Sequence, residues 1–176
     1  MPNADADRRD RAPCDRRRRA LFVAAIVAAV VLLDQLTKTW AVASLADGPV
    51  SIIGADVGFS LSRNTGGAFS LFQGMTPVLA VLAIVLVVFL VRAARQTDGI
   101  IAVVALALVL GGAIGNLADR IVRSPGFLRG AVVDFVRVDT FPTFNVADSA
   151  ITVGAILLVG WSLFGGGRDR AEPVTS

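Results

Sequence analysis

From residue 64 to residue 91 the chain carries no charged side chain, and that run limits the fold more than any motif does. A backbone in hydrocarbon must satisfy its own N–H and C=O groups, so a single apolar segment of this kind is expected to be a helix. Crossing the hydrocarbon core takes roughly 20 residues. Within the uncharged run, residues 77–91 are the most densely apolar, and three other stretches have the required length. These are residues 20–46, interrupted by Asp34 and Lys38, then 99–118 and 149–167. With 55% hydrophobic residues and a mean hydropathy of +0.70, a soluble domain is excluded. The expected fold class is an all-α membrane protein with four transmembrane helices.

A basic run followed by a short apolar stretch also has the form of a cleaved secretory signal, but Asp34 and Lys38 fall where such a signal stays apolar. An uncleaved first span is therefore expected. Seven of the seventeen Lys and Arg lie in the first nineteen residues. If four spans alternate, Arg92, Arg95, Arg168 and Arg170 share their side, against Arg63, Arg120, Arg123, Arg129 and Arg137 opposite. The positive-inside rule then puts both termini in the cytoplasm, and the skew reflects orientation rather than nucleic-acid binding. The expected organisation is a disordered cytosolic tail over residues 1–19, in which Cys14 is an incidental thiol. A four-helix domain over 20–167 and a cytosolic tail over 168–176 follow. The two outward loops hold most of the polar residues. In the first, Val57, Phe59 and Leu61 alternate with Gly58, Ser60 and Ser62. In the second, Val132, Asp134, Val136 and Val138 share one face, so a small extracytoplasmic β-sheet built from the two loops is expected.

The chain has no His and no Tyr, a single cysteine, and Glu172 as its only glutamate. Nucleophile systems and zinc sites that need an imidazole are excluded. Ionisable groups at membrane depth are costly and mark candidate sites. Asp34 and Lys38, four apart, share a helix face and form either a structural pair or a lysine that activates a serine. No serine among Ser44, Ser62, Ser70 and Ser149 is singled out by its surroundings. Asn116, Asp119 and Arg120 project from one face of the third span, where Asp119 and Arg120 can neutralise each other and leave Asn116 and Arg120 to bind a peptide. Asp134, within Val132-Val133-Asp134-Phe135, has no such neutraliser on its own face. Asp148 opens the fourth span three residues after Asn145, either as an N-cap or as a reactive group. Two carboxyls in one apolar setting cannot both ionise, so Asp134 and Asp148 together make a general acid and a general base. The ionised one would deprotonate a water while its partner donates to a scissile carbonyl and then to the leaving amine. The competing reading is a small proton-coupled transporter or channel subunit, with Asp34, Asp119 and Asp148 as a relay spread through the bilayer.

Five motifs occur in order: Asp34-Gln-Leu-Thr-Lys38, Asn64-Thr-Gly-Gly-Ala-Phe-Ser70, Gly111-Gly-Ala-Ile-Gly-Asn-Leu-Ala-Asp-Arg120, Val132-Val-Asp-Phe135 and Phe144-Asn-Val-Ala-Asp148. Over residues 20–165 the chain resembles the bacterial lipoprotein signal peptidases (signal peptidase II). The resemblance implies an intramembrane aspartyl endopeptidase of the bacterial inner membrane that needs no metal or cofactor and is blocked by the cyclic peptide globomycin. It would remove the signal peptide of a prolipoprotein just before a diacylglyceryl-modified cysteine, working at the outer face among membrane lipids. By motif, Asp134 and Asp148 are the expected catalytic dyad. Asn64, Asn116, Arg120 and Asn145 hold substrate, Asp34 and Lys38 support the site, and Asp119 is a structural partner. The sequence departs from the pattern at Gly67 and Ala131, and in the thirteen residues that separate Asp134 from Asp148.

Overall fold

The computed structural model describes residues 4–54, 56–65, 75–97 and 99–164, with side chains from residue 16 onward. Of the Asn64–Ser70 motif only Asn64 and Thr65 are described. Gly67, Ser70, Arg168, Arg170 and the tail 168–176 lie outside the described residues, as does the Cys14 side chain. The element order is α1 (Ala4–Ser44), β1 (Val50–Ile53), β2 (Val57–Asn64), α2 (Thr76–Gln96), α3 (Ile100–Val122), β3 (Val132–Val138), β4 (Phe141–Phe144) and α4 (Val146–Phe164). Among the described residues, four helices are long and apolar enough to cross a membrane. α1 differs from the expectation at its start, because residues 4–19, expected without regular structure, continue the helix. Ala and Arg are good helix formers, and a turn added to an existing helix carries no nucleation cost.

α3 is the central helix. Of its most apolar window 56% is buried, against 6% for α1 and 17% for α2 and α4. The apolar side chains that remain exposed, such as Leu32, Leu36, Val81, Val85, Phe89, Ile156 and Leu163, give the three outer helices the surface that lipid requires. Close helix approach rests on small residues. A Cβ on Gly112 would run into the Ala147 carbonyl, and one on Gly154 would lie 2.7 Å from the Ala105 carbonyl oxygen, so α3 and α4 touch backbone to backbone.

The strands form one antiparallel sheet in the order β1-β2-β3-β4. β2 and β3 are the expected alternating segments, whereas β1 and β4 were not foreseen. Both are short edge strands, and Pro142 in β4 sits where a missing N–H is tolerated. The sheet packs on the last turns of α1 through Phe135, Phe59 and Leu61 against Ala41 and Leu45. Trp40 stands edge-on to Phe59 and Phe135, with ring centroids 5.3 and 6.1 Å away. β3 is covered on both faces at its start, because residues 132–135 are all buried. The β2–β3 register sets Ser62 opposite Asp134 and Asn64 opposite Val132. Asp134 is thereby held beside the entry to α4.

Candidate active site

The N-terminus of α4 organises the site. Asn145 precedes the helix, and its Oδ1 accepts from the Asp148 backbone N–H at 2.9 Å. Asp148 Oδ2 in return accepts from the Asn145 N–H at 3.3 Å. This reciprocal pair is a capping box with Asn and Asp in the two roles, so the cap is Asn145 and Asp148 lies inside the first turn. There the helix dipole favours a negative charge. Asn116 Nδ2 donates to Asp148 Oδ1 at 2.8 Å.

Asp134 is 2% exposed. Asn145 Nδ2 donates to its Oδ1 at 2.7 Å, and Asn64 Nδ2, diagonally across the strands, donates to Oδ2 at 3.2 Å. Burial first, and then the neighbouring charge of Asp148, push this carboxyl up from 3.8 to about 6, with the two amides and Lys38 only partly opposing them. Asp134 and Asp148 line one cavity of about 600 Å³, together with Asn64, Asn116, Arg120 and, on its apolar side, Phe141, Phe144 and Ile151. Arg120 donates through Nη1 to the Asn116 carbonyl at 3.0 Å, while its buried Nε meets no acceptor among the described residues.

Beneath the cavity lies an ionic cluster whose members Asp34, Lys38 and Asp119 are all 0% exposed. Lys38 Nζ reaches Asp34 Oδ2 at 2.8 Å, Asp119 Oδ2 at 2.9 Å and Asn116 Oδ1 at 2.9 Å. The amide of Asn116 is thus oriented from one side by a cation and presents its N–H to Asp148 on the other. Asp34 Oδ1 accepts from the Ala147 N–H at 3.0 Å, and Asp119 Oδ2 from the Val133 N–H at 3.1 Å, which ties α1 to α4 and α3 to β3.

The expected neutralisation of Asp119 by Arg120 is not what forms. Asp119 pairs with Lys38 and, at 2.7 Å, with Arg123 one turn further on, whereas Arg120 turns to the cavity. Adjacent helix positions point about 100° apart, so the i,i+4 residue was the better partner. Gln35 was also missed. Its Nε2 lies 3.1 Å from Asp34 Oδ2, 3.1 Å from the Gly115 carbonyl and 3.2 Å from Asp119 Oδ1. A polar residue at span depth beside Asp34 was the available signal. No described side-chain group of three or more Cys, Asp or Glu has the arrangement of a metal site. Asp34, Asp119, Asp134 and Asp148 gather at one end of the bundle, where a relay through the bilayer would have them spread along it.

Known proteins resemble this chain in sequence and in fold. The family model for signal peptidase (SPase) II matches residues 26–164. The chain is 46% identical over 165 residues to the lipoprotein signal peptidase of Mycolicibacterium smegmatis, covering 93% of this chain and 70% of that protein. It is 49% identical over 169 residues to that of Mycobacterium avium, covering 92% and 93%. Among solved structures, a bacterial membrane enzyme determined in meso at 2.3 Å resolution superposes with a TM-score of 0.74 at 27% identity, covering 88% of this chain and 94% of that one. A family match over most of the chain, near-half identity to curated relatives and a shared membrane-enzyme fold together place this chain in the signal peptidase II family.

Proposed function

We propose that Asp134 and Asp148 are the dyad with which this signal peptidase II cuts a prolipoprotein just before its diacylglyceryl-modified cysteine. The observation that carries the reading is the pairing of two carboxyls on one cavity in unlike settings. Asp148, in the first turn of α4 and facing the Asn116 and Asn145 donors, is the ionised base. Asp134, deeper and raised to about 6, keeps the shared proton and is the acid. Asp148 takes a proton from water as its oxygen attacks the scissile carbonyl, and Asp134 protonates the carbonyl oxygen. In collapse of the diol, Asp134 recovers a proton from a hydroxyl and Asp148 gives its proton to the departing nitrogen. The C–N bond breaks and the dyad returns to its starting state.

Arg120 and Asn64 hold the peptide backbone, the unmatched Arg120 Nε taking a carbonyl. Phe141, Phe144 and Ile151 face the acyl chains. Asp34, Lys38 and Asp119 support the dyad without touching substrate. The sheet lies on the outer surface of the inner membrane, both termini are cytoplasmic, and globomycin competes for the cavity. The test is a gel-shift cleavage assay in detergent with a prolipoprotein in lipidated and unlipidated forms. Cleavage is expected to need the lipid, and Asp134→Asn is expected to lower it by at least about 10²-fold. Equal cleavage of both precursors would remove the substrate assignment, and an active Asp134→Asn enzyme would remove the dyad.

A further inference from the structure

From the dyad, one wall of the cavity runs along α4. Asp148 and Thr152 both line it and stand four apart on one helix face, so Thr152 lies one turn, about 6 Å, further into the span, with its side chain leaning back toward Asp148. Val153 lines the cavity beside it, and the same face continues in the exposed Ile156. From Val153 to Val159 no side chain carries a polar atom. A hydroxyl in an apolar helix commonly returns to the carbonyl four residues back. Thr37, Thr39 and Thr97 do so, donating to the carbonyls of Leu33, Gln35 and Ala93 at 2.8, 2.7 and 2.8 Å. Ser149, also on the cavity, donates to the Asn145 carbonyl at 3.0 Å. Thr152 Oγ1 makes no hydrogen bond among the described residues.

A hydroxyl at this depth without a partner is costly, and an acceptor that arrives with the substrate removes the cost. The substrate of the reading above, on which this inference rests, brings one. Its cysteine carries a glycerol through a thioether, and the two acyl esters of that glycerol hold the only carbonyls between the peptide and the methylene chains. The thioether and glycerol carbons reach across one helical turn. With the scissile carbonyl at Asp134 and Asp148, an ester carbonyl therefore comes level with Thr152, and the methylenes beyond it meet Val153 and Ile156. We propose that Thr152 is a specificity-determining residue whose hydroxyl donates to an ester carbonyl of the diacylglyceryl cysteine. Hydrocarbon slides on hydrocarbon, so an apolar groove alone does not fix the depth of the lipid. One directional bond at Thr152 does, and it sets the cysteine nitrogen at the dyad. Thr152 takes no part in the proton transfers.

The test gives the full-length enzyme in detergent three forms of one prolipoprotein: the diacylglyceryl ester, the dialkyl ether of equal chain length, in which each ester carbonyl is a methylene, and the unlipidated precursor. The wild type is expected to cut the ester with a kcat/KM about three- to tenfold above that for the ether, the worth of one neutral hydrogen bond, with most of the difference in KM. Thr152→Val, which keeps the side-chain shape without the hydroxyl, is expected to abolish this preference. Thr152→Ser is expected to retain it. A wild-type preference left intact in Thr152→Val would overturn the proposal, as would a loss of equal size on ester and ether, which marks a packing role. Equal cleavage of ester and ether by the wild type would also overturn it, whether or not Thr152→Val folds. Cleavage of the unlipidated precursor as fast as the lipidated forms would remove the substrate reading and this inference with it. Lipid-dependent cleavage with no ester preference would remove this inference alone.

Discussion

Asp134 carries a cost that its neighbours do not cancel. Moving its carboxyl from 3.8 to about 6 makes ionisation about 3 kcal/mol harder than in the unfolded chain. A carboxyl raised in the folded state adds stability below its unfolded value, and that contribution is lost as pH climbs through about 6. Asp134→Asn is therefore expected to unfold at a higher temperature than the wild type at pH 8, with the gap closing by pH 4. A gap that is the same at both pH values would contradict the raised carboxyl. The one-proton dyad should also lose kcat/KM as pH rises past an apparent value near 6, a property of the pair rather than of one residue. Lys38 bears a different burden. It neutralises two fully buried carboxylates, so Lys38→Met is expected to cost about 3–5 kcal/mol in unfolding free energy, read from denaturation in detergent. A change below about 1 kcal/mol would show that the cluster does not support the fold. At this scale much of the site could be read from the sequence, because each candidate was a polar group where polar groups are expensive. What could not be read was the pairing. Lys38 reaching Asp119 and Asn116 spans two helices, and no spacing within one helix encodes such a contact.

The helices and the two inner strands follow from apolar run length and from alternation, and apart from α1, which begins at Ala4 rather than near residue 20, their ends differ from expectation by a few residues. α3 runs on to Val122 and so keeps Asp119 and Arg123 on one helix, and α4 begins at Val146 because Asn145 caps it. The edge strands were illegible for a physical reason. Four residues give too little period to detect, and their backbone pairing is set by partners distant in sequence. The close approach of α3 and α4 makes a sharp prediction. Gly154→Ala puts a Cβ against a backbone carbonyl, with no flexible side chain to yield, and is expected to cost about 1–3 kcal/mol. Gly160→Ala on the same helix meets nothing within 4 Å and should be neutral or slightly stabilising. Equal unfolding midpoints for the two variants would contradict the backbone contact.

Across the whole molecule the chemistry is concentrated at one end. The helix order brings the last turn of α3, the start of β3 and the first turn of α4 together, and the sheet buries Asp134 beside them. Gathering the carboxylates in this way suits the proposed reaction, in which a signal helix sharing the bilayer presents only its lipidated end. On the proposed reading the ionic cluster is the frame of the site and the dyad its working part, and Asp119, bonded to Lys38 and the Val133 N–H, belongs to the frame despite its strong motif. The most direct measurement is the cleavage rate of a lipidated prolipoprotein by Asp134→Asn, Asp148→Asn and Asp119→Asn, each shown by its melting curve to be folded. Loss of at least about 10²-fold in the first two is expected, with measurable activity and a lowered melting temperature in the third. Complete loss in a well-folded Asp119→Asn, equal to that of the other two, would contradict the assignment of the dyad.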